Sequence, residues 1–170
     1  INLLQITDKI KAIIPLTELK GSLFISTKKG MAKRVSLDSF IRIKKSGVKA
    51  ISLPMDDNVV DAKIVTEESE IVLATKNGIA ARFKASDIRQ MGKAAYGVIA
   101  IKLNQDEVIG FEILNKEERE SKELTILTIT EKGYGKRSQV QDYRKTSRAC
   151  KGIININCSE RNGKVIAIQL

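Results

Sequence analysis

Apolar residues in this chain gather in runs of five or six, rich in Ile, Val, Leu and Thr, separated by short polar turns, with almost no helical periodicity. The runs recur. Leu23-Phe24-Ile25-Ser26-Thr27-Lys28-Lys29-Gly30 lines up with Ile71-Val72-Leu73-Ala74-Thr75-Lys76-Asn77-Gly78 and with Ile126-Leu127-Thr128-Ile129-Thr130-Glu131-Lys132-Gly133, each ending in Thr-x-x-Gly. The threonines lie 48 and 55 residues apart, and the extra seven residues at 115–121 are polar and predict a lengthened loop. Each Gly opens a second run (31–37, 79–83 and 134–140), so each pair predicts a hairpin whose turn needs the positive φ that Gly supplies. A polar stretch follows. A third run then begins at Gly47-Val48, Gly97-Val98 and Gly152-Ile153, and a fourth covers 59–65, 108–114 and 165–170.

Four short strands repeated every ~50 residues predict an all-β chain of propeller-like blades. The expected units are a half blade at 1–16, where Ile1-Asn2-Leu3 resembles Ile51-Ser52-Leu53, and blades at 17–65, 66–114 and 115–170. Three and a half blades do not close a ring, so open strand edges are expected, with self-association through them as one consequence.

Composition narrows the chemistry. The chain has 170 residues, 42% of them apolar, and no apolar run near the ~20 residues that span a bilayer. The first residues show no secretory leader, and a cytoplasmic protein without membrane attachment is expected. With no His, the Ser-His-Asp and Cys-His nucleophile designs lack their base, and Cys150 and Cys158 are read as reduced, partly buried thiols. No catalytic residue, metal site or cofactor is expected in this chain.

The formal charge is +10, and its distribution says more than its size. The equivalent windows 27–49, 75–97 and 130–152 together hold 20 basic and 4 acidic residues; the remainder holds 10 basic and 16 acidic. Equivalent windows fall at equivalent places on successive blades, so a basic band along one rim is expected, with acidic loops such as Asp56-Asp57 facing elsewhere. Such a band fits a long polyanion, and duplex DNA held through its phosphates is the expected partner. The candidate contacts are Lys28, Lys29, Lys33, Arg34, Arg42, Lys44 and Lys45 in the first unit. In the second they are Lys76, Arg82, Lys84, Arg89 and Lys93; in the third, Lys132, Lys136, Arg137, Arg144, Lys145, Arg148 and Lys151. Among them the repeated arginine of the hairpin (Arg34, Arg82, Arg137) is the first choice for phosphate contact. Neighbours on a strand point to opposite faces, so only one of Lys33 and Arg34 is expected to share that role. No Trp is present; Tyr96, Tyr134 and Tyr143 are the aromatics within the basic windows.

Thr75-Lys76-Asn77-Gly78-Ile79-Ala80-Ala81-Arg82-Phe83, then Asp87-Ile88-Arg89-Gln90-Met91-Gly92-Lys93-Ala94-Ala95-Tyr96-Gly97-Val98, closely resemble the C-terminal domain of the DNA gyrase A subunit, part of a bacterial type IIA topoisomerase. Thr130-Glu131-Lys132-Gly133-Tyr134-Gly135-Lys136-Arg137, with Tyr143-Arg144 and Lys151-Gly152-Ile153-Ile154-Asn155-Ile156, continue the resemblance along the chain. The resemblance implies a six-bladed β-pinwheel with strands exchanged between blades, of which this chain would supply about three and a half. It implies a basic rim that bends duplex DNA and so supports ATP-dependent negative supercoiling by a holoenzyme of two A and two B subunits. Strand cleavage and ATP hydrolysis would belong to other regions.

The family's box, Gln-Arg-Gly-Gly-Lys-Gly and an aliphatic residue, has its nearest counterpart in Ser147-Arg148-Ala149-Cys150-Lys151-Gly152-Ile153. Ala149 and Cys150 replace glycines that would reach unusual backbone angles, so the loop is expected to be a later echo of the box without its full role. Two other readings remain: the equivalent domain of topoisomerase IV, and a protein–protein propeller scaffold, against which the missing Trp-Asp and Gly-His signatures count.

Overall fold

The computed structural model describes residues 9–42 and 47–170. The chain runs β1 (Ser22–Thr27), β2 (Met31–Ser36), β3 (Val59–Val65), β4 (Glu70–Thr75), β5 (Ile79–Lys84), β6 (Val98–Ile99) and β7 (Val108–Leu114). It continues through a short helix α1 (Lys116–Glu120), then β8 (Thr125–Thr130), β9 (Gly135–Gln139), β10 (Ile153–Ile154) and β11 (Val165–Gln169). Single 3-10 turns at Leu37–Phe40, Ala85–Asp87 and Val140–Asp142 follow the second strand of each hairpin. The fold is all-β, as the run pattern predicts.

The Thr-x-x-Gly motif is a turn with its own cap. The Gly amide donates to the Thr carbonyl at 3.0–3.1 Å in all three hairpins. The Thr27 and Thr75 hydroxyls accept the amides of Met31 and Ile79, at 3.2 and 3.1 Å. Register repeats as well: Arg34 lies opposite Phe24, Arg82 opposite Val72 and Arg137 opposite Leu127.

Sheet composition departs from contiguous blades and shows the exchange of strands that the resemblance implies. The sheets are ordered β3-β1-β2-β6, β7-β4-β5-β10 and β11-β8-β9. The third runs of the second and third units thus leave their own sheets and pair with the second strand of the unit before: Val98 and Ile99 with Ala32 and Met31, Ile153 and Ile154 with Ala80 and Ile79. Val48, with no such strand in front of it among the described residues, belongs to no strand. At the other edge of each sheet, β7 packs against both β3 and β11. The fourth runs therefore form the inner edge, and the exchanged strands the outer one.

Two apolar clusters hold the units together. Phe24, Ile71, Leu73, Phe83, Ile101 and Phe111 fill the space between the first and second sheets, with Phe24 and Phe111 edge-to-face at 5.0 Å. Val72, Leu114, Ile126, Val140, Tyr143 and Val165 fill the space between the second and third. Alternate residues of β4 feed opposite clusters, so all six of its residues are buried, whereas β8 alternates and leaves Leu127 38% exposed.

The polar stretch at 115–121 is a helical turn, where the sequence predicts a loop. Asn115 Oδ1 accepts the Glu118 amide at 2.9 Å, and Glu118 Oε2 accepts the Asn115 amide at 2.7 Å, a reciprocal cap that makes so short a helix possible. Among the described residues no helix is long and apolar enough to cross a membrane.

Candidate nucleic-acid interface

The basic residues of the repeated windows separate into three environments. The first is the hairpin tips. Lys28, Lys29, Lys76 and Lys132 are exposed there, but the loop before each fourth run folds back on the tip. Lys28 and Lys76 amides donate to the carbonyls of Asn58 and Glu107, both at 2.8 Å. Glu107 lies 3.0 Å from the Lys28 ammonium and 3.8 Å from that of Lys76, and Asp56 pairs with Lys29. The Lys28 hydrogen bond outweighs desolvation and holds Glu107 below the usual carboxylate range; Lys29 does the same for Asp56. Lys132 donates to the Glu160 carbonyl. Asp56-Asp57 therefore do not face elsewhere: they sit against Lys29, and the lysines of the first two tips are paired with carboxylates.

The second environment is buried, and here the structure overturns the leading expectation. Arg34 is 4% exposed and Arg82 is 7% exposed. The Met91 and Thr146 amides donate to the Arg34 and Arg82 carbonyls, both at 2.8 Å, so the segment after the next unit's 3-10 turn lies over each arginine. Arg82 donates Nε to Glu70 at 2.8 Å and Nη1 to the carbonyls of Val140 and Tyr143, and its Nη2 lies 2.8 Å from the same carboxylate. Arg34 meets Glu67 at 3.0 Å, and its buried Nε has no acceptor. Lys33 is fully buried and gives its three protons to the carbonyls of Ala50, Lys93 and Ala95, at 2.8, 2.6 and 3.1 Å; burial lowers its pKa. None of Lys33, Arg34 and Arg82 can reach a phosphate. They lock units together. Strand alternation cannot choose between Lys33 and Arg34, because both faces of a stacked sheet are covered.

Glu70, 1% exposed, is the node of the second seam. Burial alone would raise its pKa, but hydrogen bonds from Lys145 (3.1 Å) and Arg82, with their charges, hold it below the ordinary carboxylate value; Arg119 adds a contact at 3.8 Å. The equivalent contact at the first seam is neutral, Gln90 Nε2 to Ser22 Oγ at 2.9 Å.

The third environment lies along the outer edge. The segments joining the second and third 3-10 turns to their exchanged strands cross the seams, bridging to the Arg of the preceding unit at Arg34–Gln90 and Arg82–Lys145. Arg89 and Lys93 at the first seam are the repeat equivalents of Arg144 and Arg148 at the second, where Lys145 and Lys151 add to them. Arg89, Arg144 and Lys151 are exposed and without an ion pair among the described residues; Arg42, Lys84, Lys136 and Arg137 are also exposed. Lys136 donates to the Asn155 carbonyl at 2.7 Å. Half-buried Lys93 is less free, since it donates to the Ser39 carbonyl at 2.8 Å and lies over the Phe40 ring. Lys44 and Lys45 lie outside the described residues.

The loop Ser147 to Ile153 is stitched to the unit before it. The Ala149 amide donates to Ala100 at 2.6 Å, Cys150 accepts the Lys102 amide at 2.8 Å, and Arg148 Nη1 donates to Ile99 at 3.3 Å. Ala149 takes φ +59, the left-handed region that its Cβ was expected to disfavour, because these backbone bonds outweigh a local strain of about 1 kcal/mol. Gly152 is required as such: at φ +76, a Cβ would stand 2.6 Å from the Ala80 carbonyl oxygen. Cys150 and Cys158 are free, half-buried thiols. Of the tyrosines, Tyr143 is buried and donates to Asn155 Oδ1 at 2.8 Å, while Tyr96 and Tyr134 are exposed.

The chain matches the family described as DNA gyrase C-terminal domain, beta-propeller, three times in succession, at residues 21–66, 69–115 and 125–170. Curated relatives include the DNA gyrase A subunit of Haloquadratum walsbyi, 34% identical over 99% of this chain and 20% of the relative. The DNA gyrase A subunit of Chlamydia pneumoniae is 36% identical over 86% of this chain and 17% of the relative, so the chain spans about a fifth of such proteins. Among solved structures, the C-terminal domain of DNA topoisomerase IV superposes with a TM-score of 0.82 at 25% identity, covering 92% of this chain and 48% of that one. A DNA gyrase A C-terminal domain gives 0.76 at 26%, covering 88% and 49%. Three in-phase family matches, on three sheets built to one register, place this chain in the DNA gyrase C-terminal domain family.

Proposed function

We propose that this chain binds duplex DNA through its phosphates along the outer edge and bends it, as a non-catalytic module of a gyrase A subunit that works with its own other domains and with the B subunit. The observation that carries the reading is the repetition of an exposed, unpaired cation at an equivalent place over consecutive seams, Arg89 at one and Arg144 at the next, with exposed, unpaired Lys151 added at the second. Phosphates recur along a duplex at a fixed rise, and repeated cations on a curved edge meet them without reading sequence. The first two tips contribute less, their ammonium groups being partnered by carboxylates. Bending 20–30 base pairs by 40–90° costs about 1–6 kcal/mol, which several phosphate contacts offset.

A titration of mixed-sequence duplex against salt tests this. Six contacts predict a log–log slope of about −5, independent of sequence; a flat response sinks the reading. The likeness to the topoisomerase IV domain supports a second reading, a less wrapping-prone module. Relaxing plasmid bound to the protein with a nicking-closing enzyme separates them: a wrapping module leaves a change in linking number, and the other leaves none.

A further inference from the structure

The outer edge carries an apolar feature that phosphate binding does not use. Ile99 on β6 and Ile154 on β10 are 46% and 66% exposed, although they belong to exchanged strands whose other residues, Val98 and Ile153, turn inward and are half-buried. Single exposed isoleucines are common on protein surfaces. These two, however, occupy the same position of consecutive units, on the exchanged edge strands of the first and second sheets, among the cations of the basic windows. Arg148 Nη1 donates to the Ile99 carbonyl at 3.3 Å, so a guanidinium lies beside that residue; exposed Lys102 follows in the chain, and exposed Lys151 precedes Ile154. The first unit has exposed Lys49 at this position.

From this placement, and resting on the duplex-binding reading above, we infer that Ile99 and Ile154 enter the minor groove of the bent duplex, each as an apolar contact between cations that hold the two phosphate rows. A duplex curved around a convex edge turns its minor groove toward the protein once per helical turn and narrows it there. Phosphates then stand close on both sides with sugar walls between them, so an apolar side chain flanked by positive charge complements the groove. The isoleucines lie against the sugars and do not wedge between base pairs, because a wedge opens the groove and bends the duplex toward its major groove, away from the edge. The major groove offers polar base edges over a wider span, and no helix among the described residues is long enough to enter it.

The test compares the full chain with Ile99→Ser plus Ile154→Ser, and with Ile99→Lys plus Ile154→Lys. Both residues are exposed, and circular dichroism melts check that the variants fold. Three measurements are made on one A·T-containing duplex: affinity against salt, end-to-end fluorescence transfer, and dimethyl sulfate protection at adenine N3 and guanine N7. The wild type is expected to protect adenine N3, in the minor groove, and to raise transfer by bending. The Ser variant keeps the salt slope but loses the adenine N3 protection and bends the duplex less than the wild type does. The Lys variant steepens the slope by up to two contacts. Protection of guanine N7 alone, or a Ser variant that bends DNA like the wild type, overturns the inference while leaving phosphate binding intact. Variants that keep the bend but abolish self-association in ultracentrifugation assign the isoleucines to a second copy and overturn it too. A wild type that does not bind at all removes the duplex-binding reading and this inference with it.

Discussion

Arg82→Ala separates a seam lock from a phosphate contact. The side chain is 7% exposed and its guanidinium is consumed by Glu70 and two carbonyls, so removal leaves a carboxylate that is itself 1% exposed. Breaking a buried pair from one side costs about 3–5 kcal/mol, and Lys145 at 3.1 Å remains to hold Glu70, which puts the loss at the lower end, about 3 kcal/mol. For a domain of this size that lowers Tm by about 6–12 °C. The comparison is Arg144→Ala, an exposed cation on the same seam that costs under about 0.5 kcal/mol in stability and removes about 0.9 from the salt slope. Urea melts followed by circular dichroism, and DNA titrations well below the melting transition, read both quantities on both variants. An Arg82→Ala variant that melts like the wild type while flattening the salt dependence would refute the lock, since the buried arginine would then be reaching phosphate.

Other outcomes follow from single contacts. Glu70 ionises below its ordinary value in the folded chain, so its contribution is fully present above pH 4.5, the unfolded value, and is lost as pH falls through the folded one. Glu70→Gln should therefore flatten the acid limb of a stability–pH curve, and an unchanged limb would refute the assignment. Gly78→Ala places a Cβ onto the Ile156 carbonyl oxygen at φ +88 and should cost about 3 kcal/mol, whereas Gly133→Ala, with open space around it at φ +80, should cost about 1 kcal/mol. Equal losses in denaturant melts would show that the exchanged segment does not press on the turn. Ala149→Gly relieves left-handed strain against a gain in unfolded-chain entropy, so it should be neutral or stabilising by up to about 1 kcal/mol; a loss above that would contradict the loop geometry.

What the sequence alone determined was everything local and repeated. Thr-x-x-Gly in phase announced three hairpins because a hydroxyl cap and a positive-φ turn are short-range requirements met within five residues. The fourth runs at 59–65 and 108–114 were legible to the residue because their apolar content is bounded by polar turns. The excess of positive charge in equivalent windows was legible for the same reason. The tertiary structure decided which of those charges are free. Strand exchange lays the next unit's polar segment over Arg34 and Arg82, and stacking covers both faces of a sheet, so alternation lost its power to say which of Lys33 and Arg34 faces water. The acidic loops met the tip lysines because the chain folds back by some 30 residues, a distance over which sequence pattern carries no geometry. Ala149 could hold its backbone angle only because carbonyl and amide partners wait on a neighbouring unit. Such long-range pairing is where identical residue types receive opposite roles: Arg82 as a buried lock, Arg144 as an exposed cation one unit away.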